Sequence, residues 1–171
     1  EYRRQRQMCI RDSGRPEQYE LLEVLLSRLE MPLYLVPGNH DEREPLRAMA
    51  RRMGHEHVPT DGPIQYVIED WPVRLVALDS LRVGHHDGLL DDERLTWLDH
   101  VLGQAPERPT LVFLHHPPFE TGIWWMDCIG LEGGDRLREV VGRHPQVVRI
   151  VSGHLHRPIE TMWGSTLVSC A

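Results

Sequence analysis

Three short stretches of this sequence carry residue types that bind metal ions, and each follows an apolar run. Residues 147–156 read VVRIVSGHLH: a β-branched run stops at Gly153, and His154 and His156 follow one residue apart. Such a run reads as a buried strand whose end presents two imidazoles on one loop. Neutral imidazole is the commonest metal ligand among side chains, and two on one short loop can face one shared ion or two neighbouring ions. Residues 33–36 end in a comparable way at Gly38-Asn39-His40-Asp41, and residues 111–114 at His115-His116-Pro117-Pro118. In an α/β sheet the ligand site lies beyond the carboxyl ends of the strands, so three such endings can meet in one place. Hard amide and carboxylate oxygens mixed with imidazole suit Mn, Fe or Zn better than an ion that prefers thiolate.

The elements that must position these residues follow from spacing. Pro16 suits the first turn of a helix, and Leu21, Leu22, Leu25, Leu26 and Leu29 recur at helical intervals up to Glu30, where Met31-Pro32 stops it. A strand over 33–36, a helix over 43–53 and a hairpin of strands 64–69 and 73–79 around Asp70-Trp71-Pro72 come next. Residues 91–102 predict an amphipathic helix with acids in its first turn and Gly103 just past its end. Then come a strand over 110–114, a helix over 135–143, a strand over 147–151 and a hairpin of 159–162 with 166–169. The connection over 119–134 holds Trp124 and Trp125; it is long enough for a lid or pocket wall, unless it only covers the sheet edge. His55 and His57 read as solvated loop residues, and His85-His86-Asp87, flanked by glycines and following no strand, as a mobile turn.

Composition narrows the function classes. A length of 171 residues suits one domain, and a net charge of -7 argues against binding a nucleic-acid polymer while favouring a protein that gathers cations. Cys9, Cys128 and Cys170 are far apart with no C-x-x-C spacing, which predicts free thiols in a reducing cytoplasm. No apolar run approaches the roughly 18 to 20 residues that span a bilayer, and the start lacks the apolar core of a signal peptide, so a soluble cytoplasmic protein is expected. Residues 1–13, EYRRQRQMCIRDS, stand apart: up to Arg15 five arginines oppose Glu1 and Asp12, whereas 14 arginines oppose 24 acids in the remainder. This stretch resembles translated sequencing-adapter read-through and is expected to be foreign to a domain over 14–171; an ordinary solvated basic tail is the plainer alternative.

In that order, and each after a strand, the three motifs resemble the second half of the signature of the calcineurin-like metallophosphoesterases. Pro117-Pro118-Phe119, Thr121-Gly122-Ile123 and Gly153-His154-Leu155-His156-Arg157-Pro158 look most like the bacterial class III cyclic-nucleotide phosphodiesterases and glycerophosphodiesterases. The resemblance implies an α/β (α+β) fold, a four-layer αββα sandwich of two mixed sheets flanked by helices, here lacking its first strands. It implies hydrolysis of a small phosphodiester, cyclic AMP or a related cyclic nucleotide first and a glycerophosphodiester second, with two divalent ions, Mn, Fe or Zn. By the same resemblance Asn39, His115 and His154 bind one ion and His156 the other, while His40, held by Asp41, stabilises or protonates the leaving oxygen. No membrane or nucleic-acid partner is implied, and a homo-oligomer is allowed. His116 is left as a supporting or packing residue, and Trp124 and Trp125 could stack on a base.

The chemistry fits these roles. Phosphodiester hydrolysis needs a nucleophilic oxygen at neutral pH and neutralised phosphoryl charge, and two ions about 3.5 to 4 Å apart supply both. An imidazole whose other N–H goes to a carboxylate is fixed in tautomer and raised in basicity. The family signature also opens with Asp-x-His and then Gly-Asp, whose aspartate bridges the ions. Neither stands ahead of Gly38, and the place for Gly-Asp falls on Gln7-Met8. The chain is therefore expected to be truncated at both ends, to bind a single ion weakly and to turn over little; a non-catalytic fragment is the alternative. Strands missing from a sheet are also expected to leave unpaired edges prone to aggregate.

Overall fold

Short strands whose side chains alternate between two apolar faces must be covered on both sides, and helices on both faces do so here. The structure, a computed structural model, describes residues 15–171; the stretch over 1–13 and Cys9 lie outside them. In chain order the elements are α1 (Pro16–Leu26), α2 (Arg43–Arg52), β1 (Tyr66–Ile68), β2 (Arg74–Ala77), β3 (Gly88–Leu89), α3 (Asp92–Gly103) and β4 (Thr110–Phe113). They continue with α4 (Trp124–Asp127), β5 (Leu131–Glu132), α5 (Gly134–Gly142), β6 (Val147–Ser152), β7 (Ile159–Trp163) and β8 (Thr166–Cys170).

Six strands form one mixed sheet in the order β1-β2-β4-β6-β8-β7, and β3 with β5 forms a second. The central strands β2, β4, β6 and β8 run parallel, and an antiparallel partner closes each side: β1 beside β2, β7 beside β8. The second of the two expected sheets thus amounts, among the described residues, to one parallel pair of two-residue strands. Val76, Val112 and Ile150 face a core shared with Leu95 and Leu98 of α3 and Leu137 and Val140 of α5. Leu75, Ala77 and Phe113 face the opposite core, built with Tyr19 of α1 and Leu46 and Met49 of α2. Each parallel strand ends on the same edge of the sheet.

Three sequence expectations are corrected. The strand expected over 33–36 forms no ladder. Its Leu35 N–H donates to the Tyr66 phenol oxygen at 2.7 Å, and that hydroxyl donates back to the Leu35 carbonyl at 2.8 Å. A side chain fills the space where two backbones must approach to about 4.8 Å for direct pairing. Helix α1 stops at Leu26, short of Glu30, with the Ser27 hydroxyl donating to the Val24 carbonyl at 3.0 Å, a local bond that competes with helix continuation. Helix α3 includes Gly103, and its C-cap is Gln104 in a right-handed conformation. At its other end, the Asp91 carboxylate caps the helix by accepting from the Arg94 N–H at 3.0 Å.

Among the described residues, Cys128 and Cys170 are free thiols, and no helix is long and apolar enough to cross a membrane.

Candidate metal centre

His115 leaves the end of β4 and His154 the end of β6, two strands hydrogen-bonded side by side. The register continues past the strand ends: Leu114 N–H donates to Val151 O at 3.1 Å, and Gly153 N–H donates to His115 O at 3.0 Å. The two imidazoles are thereby held as neighbours, with ring centroids 5.1 Å apart. Asn39 arrives from the turn over 38–41. His115 Nε2 lies 2.9 Å from Asn39 Oδ1 and 3.2 Å from His154 Nδ1. Three of the four expected ligands therefore meet at one point, each presenting an atom with a lone pair. A proton on His115 Nε2 would be shared by the same amide oxygen and imidazole nitrogen that a cation would draw together.

Local backbone makes this meeting fit. A Cβ on Gly38 would stand 3.0 Å from Cε1 and Nδ1 of His115, so the turn can press against that ring only as glycine. His154 and His156 sit in the left-handed region at φ 70° and 54°. For residues with a Cβ that conformation costs on the order of 1 kcal/mol each, and such strain clusters at functional sites.

His116 is fully buried beneath the cluster, and both its ring nitrogens are engaged. Its Nε2–H donates to the His86 carbonyl at 3.3 Å, which leaves Nδ1 to accept from the Ser80 hydroxyl at 2.9 Å. The Ser80 oxygen in turn accepts the His116 main-chain N–H at 3.3 Å. The metal-capable atoms of His115, His116 and His154 all lie within 4.8 Å of one another, but only His115 and His154 direct a nitrogen to the meeting point with Asn39. His116 is the floor on which the other two stand.

Burial lowers the pKa of both inner histidines. His116 falls to about 4 through burial, helped by His154 beside it. His154 also falls to about 4, again mainly through burial, with the Ile129 carbonyl opposing and His156, His40 and His86 adding to the fall. Both rings are neutral at neutral pH, as ligands must be. With Nδ1 at the meeting point, the second ring nitrogen of His154 is buried on the side of the Ile129 carbonyl, the kind of acceptor that orients a ligating imidazole. Two imidazole nitrogens and an amide oxygen converging on one point fit a divalent ion of borderline softness.

His156 does not join this cluster; it is exposed on the loop beyond Leu155. His40 lies at the mouth, its ring 5.7 Å from that of His86. Asp41, expected to hold His40, is buried and accepts from the Tyr19 hydroxyl at 2.9 Å and from the Gly38 N–H at 2.8 Å. A short carboxylate reaches back to N–H groups of its own turn more readily than to the next side chain, so Asp41 fixes the turn that presents Asn39 and His40.

Sequence reading missed Asp79 and Ser80. They follow β2 as His115 and His116 follow β4, so the signal was a polar pair, carboxylate then hydroxyl, after an apolar strand. Asp79 is fully buried and accepts four hydrogen bonds: from Arg43 Nε at 2.7 Å and Nη2 at 3.0 Å, from Ile64 N–H at 2.7 Å and from Leu81 N–H at 2.8 Å. Through Arg43 it ties the Asn39 turn to the end of β2. The connection over 119–134 is part wall and part surface: Met126 is buried, while Trp124 and Trp125 are exposed.

The glycine beside His116 offers a test of the floor. A Cβ on Gly88 would lie 2.5 Å from Cγ and Nδ1 of His116 and 2.9 Å from Leu131 Cδ1. Gly88→Ala is expected to destabilise the fold by about 1 to 3 kcal/mol, as overpacking does, and to weaken metal binding; urea unfolding and metal titration measure the two effects.

Comparison with known proteins identifies the family. The chain is 38% identical over 164 residues to the glycerophosphodiester phosphodiesterase GpdQ of Enterobacter lignolyticus, covering 94% of this chain and 58% of that protein. It is 31% identical over 157 residues to the 3',5'-cyclic adenosine monophosphate phosphodiesterase CpdA of Pseudomonas aeruginosa, covering 91% of this chain and 54% of the relative. The fold superposes on a dimetal phosphatase from Danio rerio with a TM-score of 0.70 at 17% identity, over 90% of this chain and 65% of that one. The chain thus spans somewhat over half the length of the curated relatives it matches. Since residues 10–158 match the family model of the calcineurin-like phosphoesterases, it is to that family that the chain belongs.

Proposed function

We propose that this edge of the sheet is the metal-dependent phosphodiesterase site of the protein, with Asn39, His115 and His154 holding one divalent ion and His156 contributing to a second. The observation that carries the reading is the approach of Asn39 Oδ1 and His154 Nδ1 to His115 Nε2, at 2.9 and 3.2 Å. Mn, Fe or Zn suits the donor set. When bound, such ions supply a nucleophilic oxygen at neutral pH and neutralise phosphoryl charge. The chain's own part is to orient and to move a proton: His40 meets the leaving oxygen, Asp41 and Tyr19 keep its turn closed, and His116 with Ser80 fixes the ligand rings from below. A small phosphodiester is the substrate, a cyclic nucleotide first and a glycerophosphodiester second; relatives named for each match this chain, at 31% and 38% identity. Exposed Trp124 and Trp125 offer faces on which a nucleobase could stack. Free thiols at Cys128 and Cys170 are in keeping with a cytoplasmic setting.

Among the described residues only His156 is offered to the second ion, so the chain of 171 residues is expected to bind one equivalent of Mn. Calorimetry counts it. Hydrolysis of bis-p-nitrophenyl phosphate with Mn is compared in this chain and in a version extended ahead of Gly38 with Asp-x-His and Gly-Asp segments. Turnover is expected in the extended form and little in the shorter one. Silence from both would remove the enzyme reading, and full turnover by the shorter chain would remove the need for the added carboxylates.

A further inference from the structure

We propose that His86, paired with His40 at the carboxyl end of the sheet, is a second imidazole contact for the phosphodiester group. This inference rests on the phosphodiesterase reading and assigns a role to a residue that lies in none of the three motifs.

The geometry is specific. His86 is exposed, and its ring stands edge-on to that of His40 at a centroid distance of 5.7 Å and an interplanar angle of 62°. An N–H···O bond spans about 2.9 Å, so two rings at this separation can donate to one oxygen placed between them. Such an oxygen sits beside the metal cluster because the main chain at His86 is anchored there: its carbonyl accepts from Nε2–H of buried His116. The next residues leave little slack. Leu89 N–H donates to Ser80 O at 3.0 Å, Gly88 N–H donates to Gly130 O at 2.8 Å, and Gly88 packs on the His116 ring with no room for a Cβ. The floor that supports the ligands thereby also sets where His86 stands.

The surrounding charges leave this imidazole available. Asp87, the nearest acid in sequence, is taken by Arg82 at 2.7 Å and by His85 at 3.5 Å. The net charge of -7 makes a cluster of histidines here the exception on an acidic protein, and a phosphodiester anion needs such a donor-rich spot. A neutral imidazole donates one N–H, so the role requires no change of protonation.

The test uses dimethyl phosphate, a phosphodiester that is not turned over, titrated into the Mn-loaded and Zn-loaded chain, with metal affinity measured in parallel by calorimetry. His86→Ala and His86→Phe are expected to weaken dimethyl phosphate binding about five- to tenfold, whereas His86→Gln, which keeps an N–H at similar reach, retains most of it. Metal affinity should stay within about twofold in all three. In the Zn-loaded form, the imidazole signals of His40 and His86 should shift together on titration. Equal dimethyl phosphate affinity in wild type and His86→Ala overturns the proposal, as does an equal loss of metal affinity, which would mark a merely structural residue. If wild type binds Zn but no dimethyl phosphate, the proposal falls and the metal centre stands. If wild type binds neither, the phosphodiesterase reading falls with it.

Discussion

His115→Ala should abolish measurable Mn or Zn binding. His115 Nε2 is the atom to which both Asn39 Oδ1 and His154 Nδ1 come within hydrogen-bond distance, so removing it takes away one ligand and separates the other two. Changes to groups that merely orient a ligand cost about 10- to 100-fold in affinity, and loss of the central ligand should exceed that range. Calorimetry reads the affinity, and urea unfolding of the metal-free protein supplies the control. His115 lies at the end of β4 and not within it, so stability in the absence of metal should change by less than about 1 kcal/mol, the ordinary scale for single substitutions. Retained tight binding by His115→Ala would show that the ion, if bound, sits elsewhere.

Asp79→Ala should be the most damaging substitution for folding. The carboxylate is fully buried and accepts from a forked arginine and two main-chain N–H groups. Its removal leaves the largely buried Arg43 guanidinium without its counter-charge and the Ile64 and Leu81 N–H groups without acceptors. Breaking such a pair from one side costs about 3 to 5 kcal/mol, and the partial exposure of Arg43 favours the lower end. Loss of a few kcal/mol is a large fraction of the stability of a domain this size. Urea midpoints and the temperature of unfolding measure it. Metal affinity should fall as well, because Arg43 is the first residue of α2 and stands directly after the turn that carries Asn39. A stable Asp79→Ala variant with an intact metal site would refute this bracing role.

The sequence made the parallel strands legible because their apolar runs are dense and end in punctuation. Residues 110–114 and 147–151 were expected as strands and are found as β4 and β6 within one residue. The meeting of Asn39, His115 and His154 was expected from the resemblance, and periodicity alone could not have placed an amide beside two imidazoles. What stayed hidden depended on side chains crossing between elements. The run over 33–36 has strand-like letters, but its main-chain groups are served by the phenol of Tyr66, 31 residues away. The acid of Asp41 stands next to His40 in sequence, but its bonds back to Gly38 and Tyr19 could not be read from adjacency. Ser80 has no ligand chemistry, so only its contact with the His116 ring discloses its part. The leucines of α1 were correctly spaced for a helix, but Leu21, Val24 and Leu25 remain exposed, because spacing reports an apolar face and not what covers it.

The absent ladder at 33–36 makes the three donors unequal in stiffness. Two imidazoles ride on adjacent strands whose spacing is dictated by peptide geometry, so their separation is as inelastic as the sheet. The carboxamide rides on a tethered loop whose position is a sum of phenol, guanidinium and turn contacts. Coordination distances on that flank are consequently adjustable from afar, and residues such as Tyr66 and Arg43, remote from any ion, belong to the tuning of its affinity.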